Sequence, residues 1–222
     1  MARVVIIGAN KGIGLEMARQ LAARGDEVIA AVRATSDDLS ALDVEVVEGV
    51  DVTEDSGVAR LAEALGERQI DVLINNAGIL TGREKTLETL DWDVIRDQFE
   101  VNTLGPLLLV KALQGNLKKG AKVAIVSSRV GSIADNTTGG NYGYRISKTA
   151  VNMAGACLAH ELKSDGISVV LLHPGYVRTY LTGYNGQIDP DESAQGLIER
   201  IDAITLDQTG TFWHANGTAL PW

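Results

Sequence analysis

Short β-branched runs that alternate with helical patterns predict an α/β fold: a doubly wound parallel sheet with helices on both faces, built as one domain over residues 1–222. Two further observations point the same way. A glycine-rich stretch, Gly8-Ala-Asn-Lys-Gly12-Ile-Gly14, falls between the first such run and the first helical pattern, and no linker, repeat or low-complexity segment divides the chain. A length of 222 residues suits one core of ordinary size.

Val4–Ile7 reads as the first strand. Gly14–Arg24 reads as a helix because Leu15, Ala18 and Leu21 share one side, and Gly25 suits the left-handed residue that ends it. Strands follow at Val28–Val32 and Val44–Val47. The next helix presents Val58, Leu61 and Leu65 as an apolar stripe, with Thr53 as its predicted cap. Val72–Ile74 is the fourth strand. A long helical region is expected from about Leu90 to Leu117, kinked by Pro106 just after Asn102. Val123–Val126 is the fifth strand, and the helix carrying Tyr144 and Lys148 runs to about Lys163, with Gly139-Gly140 as a loop ahead of it. A strand at Val169–Leu172, a helix over Glu192–Ile201 and a short strand near Phe212-Trp213 complete the pattern.

Composition narrows the function classes. Lys and Arg total 20 against 29 Asp and Glu, a net charge of −9, which argues against a nucleic-acid surface and favours plain solubility. No apolar stretch is long enough to cross a bilayer, and the first residues lack a signal-peptide pattern, so no membrane partner is expected. The single Cys157 cannot form an intramolecular disulfide; it suits a reducing, cytoplasmic setting, and its apolar surroundings predict buried filler. The three His residues are scattered and lack Cys or acidic partners at ligand spacing, so no metal is expected.

In an open parallel sheet, ligands sit at the carboxyl ends of the strands where the strand order reverses. The chemistry-bearing motifs all fall at such ends or on the helix that follows: the glycine stretch, Asp51-Val52, Asn75-Asn-Ala77-Gly78, Asn102, Ser127-Ser128, Tyr144-Arg-Ile-Ser-Lys148 and Pro174-Gly175-Tyr-Val177-Arg-Thr179. Glycines at 8, 12 and 14 let backbone amides approach a pyrophosphate at a helix amino terminus, as in a Rossmann fold. Tyr144 and Lys148 lie one turn apart on one helix face. A positive neighbour favours the phenolate, so Lys148 is expected to lower the Tyr144 pKa from its usual ~10. The end of the second strand, Ala30-Ala-Val-Arg33, offers no carboxylate to ribose hydroxyls, whereas Arg33 and Lys11 are able to flank a 2′-phosphate. NADP(H) is therefore expected in preference to NAD(H).

On these motifs taken together, with Gly139-Gly140 and the closing Leu220-Pro-Trp222, the chain resembles the short-chain dehydrogenase/reductase family over nearly its whole length. Within it the chain is most similar to the C-factor and sniffer-type carbonyl reductases. The resemblance implies reduction of an aldehyde or ketone by hydride transfer from the nicotinamide, with Tyr144 giving the proton. Ser128 would bond the same oxygen, Lys148 would tune the tyrosine and hold the ribose, and Asn102 would hold a water linking Lys148 to solvent. Ser127 and Ser132 are rival serines that sequence alone does not separate from Ser128. The cofactor set it implies is Gly8, Asn10, Lys11, Gly12, Ile13, Gly14, Arg33, Asp51, Val52, Asn75, Ala77, Gly78, Tyr144, Lys148, Pro174, Gly175, Val177 and Thr179, with Asp51 at the adenine and Thr179 at the carboxamide. Ile7 departs from the threonine common before the first glycine. Residues near Leu80, Arg129, Ile133, Tyr142 and Tyr180 are expected to line a small-molecule carbonyl or alcohol pocket, with Tyr180–Gly186 as a small lid. The alternatives are a nucleotide-binding signalling protein on the same scaffold and, ranked last, the epimerase branch. The resemblance leaves the oligomeric state open between a homodimer on the two central helices and a monomer.

Overall fold

The computed structural model describes residues 1–82 and 84–222. Among them, seven strands form one wholly parallel sheet: β1 (Arg3–Ile7), β2 (Glu27–Ala31), β3 (Glu45–Val47), β4 (Ile70–Asn75), β5 (Leu117–Val126), β6 (Ser168–His173) and β7 (Thr211–His214). Their order is β3-β2-β1-β4-β5-β6-β7. A strand buried on both faces needs apolar residues at successive positions, which explains runs such as Val4-Val-Ile-Ile7. Val4 and Ile6 enter one core, Val5 and Ile7 the other.

Helices cover both faces. On one, α1 (Gly12–Ala23) and α7 (Pro190–Ala203) bury Leu15, Met17, Ala18, Leu21, Leu197 and Ile201 against Val4 and Ile6. On the other, α3 (Asp55–Leu65), α5 (Gly105–Leu113) and α6 (Tyr142–Leu162) bury Val58, Leu61, Leu113, Val151 and Leu162 against Val5 and Ile7. Two shorter helices complete the set, α2 (Asp37–Ser40) and α4 (Trp92–Phe99), the latter packed on α6. A fully buried leucine such as Leu61 contributes about 1.5–3 kcal/mol, so these two layers carry most of the fold's stability. No helix among the described residues is long and apolar enough to cross a membrane.

Several expectations need correction. The region from Leu90 to Leu117 is helical from Trp92 to Asn116 as expected but not of one kind: α4 runs straight into a π-helical turn over Glu100–Leu104, α5 and a 3-10 turn over Gln114–Asn116 follow, and Leu117 already begins β5. Pro106 lies at the start of α5 and offers no N–H to the Asn102 carbonyl four residues back, and the helix widens into the π-turn just before it. Thr53 does not cap α3. Its amide and hydroxyl both bond Asp51 Oδ1, at 2.9 and 2.7 Å, and Glu54 takes the cap position without a side-chain bond. Cys157 is exposed, because Gly155, Leu158 and Ala159 occupy the inward face of α6.

Candidate active site

The strand order reverses between β1 and β4, and the turns that leave those strands meet there. Gly8 adopts φ +81°, and a Cβ on it would lie 2.9 Å from Ala77 Cα, so only glycine lets the two turns touch. Asn76 Nδ2 donates to the Gly8 carbonyl at 2.8 Å, locking them together. Gly12 has φ +56° and a Cβ there would come within 3.3 Å of Thr179 Cγ2, which brings the segment after β6 to the same place. The first turn of α1 holds no acidic residue and its Lys11 cap makes no side-chain bond, leaving amide N–H groups available to an anion.

The residues expected to handle the proton gather beside this turn. Asn102 and Lys148, 1% and 4% exposed, converge on Gly78: a Cβ there would lie 3.2 Å from Asn102 Oδ1 and 3.5 Å from Lys148 Nζ. The π-turn aims Asn102 inward. Its Oδ1 accepts the Ile79 N–H at 2.8 Å, and its Nδ2 donates to the Ile79 carbonyl at 2.9 Å and Ser147 Oγ at 3.0 Å. With both amide hydrogens committed, a water reaching this side chain meets only an acceptor. Thr103 Oγ1 donates to the Ser147 carbonyl at 2.9 Å, fastening the same turn to α6.

Lys148 Nζ donates to the Val126 carbonyl at 3.0 Å and lies 5.8 Å from the Tyr144 ring centre. Burial pulls its pKa down to about 8. Burial pushes the Tyr144 phenol up to about 12, opposed by the Ser128 hydroxyl beside it, so the lowering expected from Lys148 is reversed by desolvation. The three serines differ in their commitments. Ser127 Oγ donates to Asn152 Oδ1 at 2.6 Å and Ser132 Oγ accepts the Asp135 N–H at 3.1 Å, whereas Ser128 Oγ accepts the Val130 N–H at 3.4 Å and faces the Tyr144 phenol.

The remaining predicted positions surround the reversal point. Asn75, 2% exposed at the end of β4, leaves both amide atoms without a partner among the described residues, a buried polar group suited to an incoming ligand. Asp51 is held below the usual carboxylate range by the Thr53 amide first and by Arg33 last, whose Nη1 stands 3.9 Å away; Val52 is buried beside it. Arg33 is exposed, and the Lys11 ammonium lies 4.4 Å above the Tyr180 ring. Pro174 accepts from Ser193, and Gly175 at φ +92° packs on Ile188. Val177 bridges Ile188 and Arg178 pairs with Asp189 at 2.7 Å, so the base of the Tyr180–Gly186 segment is pinned. Ile133 and Tyr180 are exposed, and Arg129 pairs with Asp135 at 2.7 Å.

The cradle of Gly8, Asn10, Gly12, Ile13 and Gly14, the uncapped α1, the orphaned Asn75 amide and the cations Lys11 and Arg33 fit a dinucleotide phosphate. Sequence reasoning missed Ser36, which caps α2 and donates to the Asn10 carbonyl at 2.7 Å, and Ser147, which orients Asn102. Ser147 sits three residues after Tyr144, a spacing that already placed it near the same face. Of the histidines scattered in sequence, His173 and His214 meet edge-on at 4.7 Å, and burial lowers His173 to about 3.

Comparison with known proteins adds family context. The family model "short chain dehydrogenase" matches residues 2–189. The chain is 47% identical over 228 aligned residues, covering 100% of both chains, to 1-hydroxy-2-glutathionyl-2-methyl-3-butene dehydrogenase of Rhodococcus sp. (strain AD45). It is 41% identical over 155 residues to C-signal of Myxococcus xanthus, covering 69% of this chain and 93% of that protein. Among solved structures, the NADPH-bound carbonyl reductase from chicken fatty liver superposes with a TM-score of 0.88 at 28% identity, covering 100% of this chain and 99% of that one.

Proposed function

The chain belongs to the short-chain dehydrogenase family, and from that premise we propose that this oxidoreductase is an NADPH-dependent carbonyl reductase acting reversibly on small aldehydes or ketones. The observation that carries the reading is the convergence of Asn102 and Lys148 on Gly78, one helical turn from Tyr144, whose phenol the Ser128 hydroxyl faces. A bound nicotinamide would supply the hydride to the carbonyl carbon, or accept it in reverse.

Negative charge then grows on the substrate oxygen, and a positioned donor must meet it. Tyr144 gives the proton, which its raised pKa keeps in place at neutral pH. Ser128 donates a hydrogen bond to the same oxygen. Lys148, when charged, stabilises the phenolate left behind, and Asn102 holds the Gly78-Ile79 turn against Lys148. Lys11 and Arg33 select the 2′-phosphate, a reading supported by the NADPH bound to the chicken relative. A second reading comes from the full-length likeness to the Rhodococcus enzyme: oxidation of an alcohol on a glutathione conjugate by the same residues run in reverse.

The test is oxidation of NADPH, and separately NADH, against aldehydes, ketones, diketones and quinones, with glutathionyl alcohols assayed in the oxidative direction. NADPH is expected to be preferred. Tyr144→Phe should fold and bind cofactor yet lose turnover about 10²–10⁴-fold, the usual worth of a positioned acid. Unchanged turnover in that variant would overturn the assignment, and cofactor binding with no turnover of any compound would favour a signalling role like that named for C-signal.

A further inference from the structure

Arg145 lies between Tyr144 and the Ser147-Lys148 pair, yet its guanidinium is committed to the loop opposite. Nε donates to the Gly139 and Gly140 carbonyls, both at 3.1 Å, Nη1 to the Val130 carbonyl at 3.2 Å, and Nη2 to Thr138 Oγ1 at 2.9 Å. Gly139 and Gly140 have φ of +62° and +68°, a backbone that L residues rarely adopt and that presents both carbonyls to one Nε. The contacts reach both ends of the loop. Val130 belongs to the turn of Ser128, since its N–H meets Ser128 Oγ and Gly131 N–H bonds the Ser128 carbonyl at 2.9 Å, while Gly139-Gly140 leads into the start of α6.

We propose that Arg145 is a positioning residue that sets the approach of the Ser128 hydroxyl to the Tyr144 phenol, by clamping both ends of the Val130–Gly140 loop to the helix that carries Tyr144. The proposal rests on the reading of Ser128 and Tyr144 as the pair that serves the substrate oxygen. The choice of arginine follows from the geometry. Three nitrogens of one rigid plane serve acceptors in three directions, which a single lysine ammonium cannot do. Other contacts each hold one part of the loop: at the serine end Thr149 Oγ1 donates to the Gly131 carbonyl at 2.9 Å and Asn152 Nδ2 to the same atom at 3.4 Å, in the middle the Ala134 N–H bonds the Trp222 carbonyl at 2.9 Å, and just past the far end the Asn141 N–H bonds the Glu84 carbonyl at 2.6 Å. Arg145 alone ties the Val130 carbonyl of the serine turn to the Gly139 and Gly140 carbonyls, and without it that turn loses its link to the far end of the loop.

The experiment compares Arg145→Ala, Arg145→Lys and Tyr144→Phe, with NADPH and 2,3-butanedione or whichever panel carbonyl the unaltered chain reduces fastest. NADPH affinity is read separately by fluorescence titration. Arg145→Ala should lower kcat about 100-fold, the loss a roughly 1 Å misplacement brings, while NADPH affinity stays within about twofold. Added guanidinium should restore at least about tenfold of that loss without altering cofactor affinity, because it refills the site between the carbonyls. Arg145→Lys should recover less than guanidinium does. If Arg145→Ala does not fold, reduced kcat with unchanged NADPH affinity in Arg145→Lys carries the proposal. Wild-type kcat in either variant, or a loss that tracks cofactor affinity and ignores guanidinium, overturns it. Turnover retained by Tyr144→Phe would instead strike the functional reading itself.

Discussion

Lys148 carries a conflict between stability and chemistry in one side chain. Its amine is buried with one hydrogen bond, to the Val126 carbonyl, and its pKa falls from 10.5 to about 8. Between those values the unfolded chain holds the extra proton, so stability rises with pH across that window and the burial penalty is fully present below it. Tyr144 behaves oppositely. Its value rises from 10.0 to about 12, so the folded state holds the extra proton there and stability falls as pH rises through that range. Lys148→Met should therefore abolish turnover yet stabilise the cofactor-free protein at pH 7 by about 1–3 kcal/mol, an advantage shrinking toward pH ~10. Urea unfolding at the two pH values checks this; a Met variant less stable at pH 7 would refute it. The pairing of Tyr144 and Lys148 was legible from their spacing. The direction of the phenol's shift was not, because desolvation depends on which loops fold over the ring.

At the scale of elements, the π-turn Glu100–Leu104 and the turn Arg129–Gly131 matter most, since each fixes a loop against α6. Hydrophobic period reveals that a stretch is helical but cannot count an extra residue in one turn, so the π-turn was hidden in the expected long helix. A four-residue helix such as α2 is likewise too short to show a period. The strands were read almost to their ends because burial on both faces makes them continuous apolar runs. Gly131 offers a direct test of the close packing. A Cβ there would lie 2.6 Å from the Lys148 carbonyl carbon and 2.8 Å from its oxygen, backbone atoms unable to move aside. Gly131→Ala should cost about 1–3 kcal/mol and depress turnover by lifting the Ser128 turn off the helix. Gly115→Ala, where nothing lies within 4 Å, is the control expected to change neither. Equal thermal melting of the two variants would contradict this account.

For the whole molecule, the place where strand order reverses decides where ligand binding and folding stability are coupled. A ligand held by the turns after β1 and β4 stabilises the native state by about 2.7 kcal/mol at a hundredfold excess over Kd. Thermal melting with NADPH should thus exceed that with NADH at equal concentration. Replacing Lys11 and Arg33 together by alanine should weaken NADPH about ten- to hundredfold while leaving NADH nearly unchanged, as expected when charge-assisted hydrogen bonds are lost. Equal loss for both nucleotides would show that these cations do not read the 2′-phosphate. The reversal point was legible in outline, since the motifs pointed to strand ends; the pairing of β1 with β4 across 68 residues, as in Ile7 with Asn75, was not. The strand order has a consequence for how the chain is made. β2 joins β1, β3 joins β2, β4 takes the other side of β1, and β5, β6 and β7 each add to the last edge formed. No strand has to wedge between two made earlier, so as the ribosome releases the chain each new strand finds its neighbour already waiting, and the nascent sheet grows outward from its first strand without being reopened.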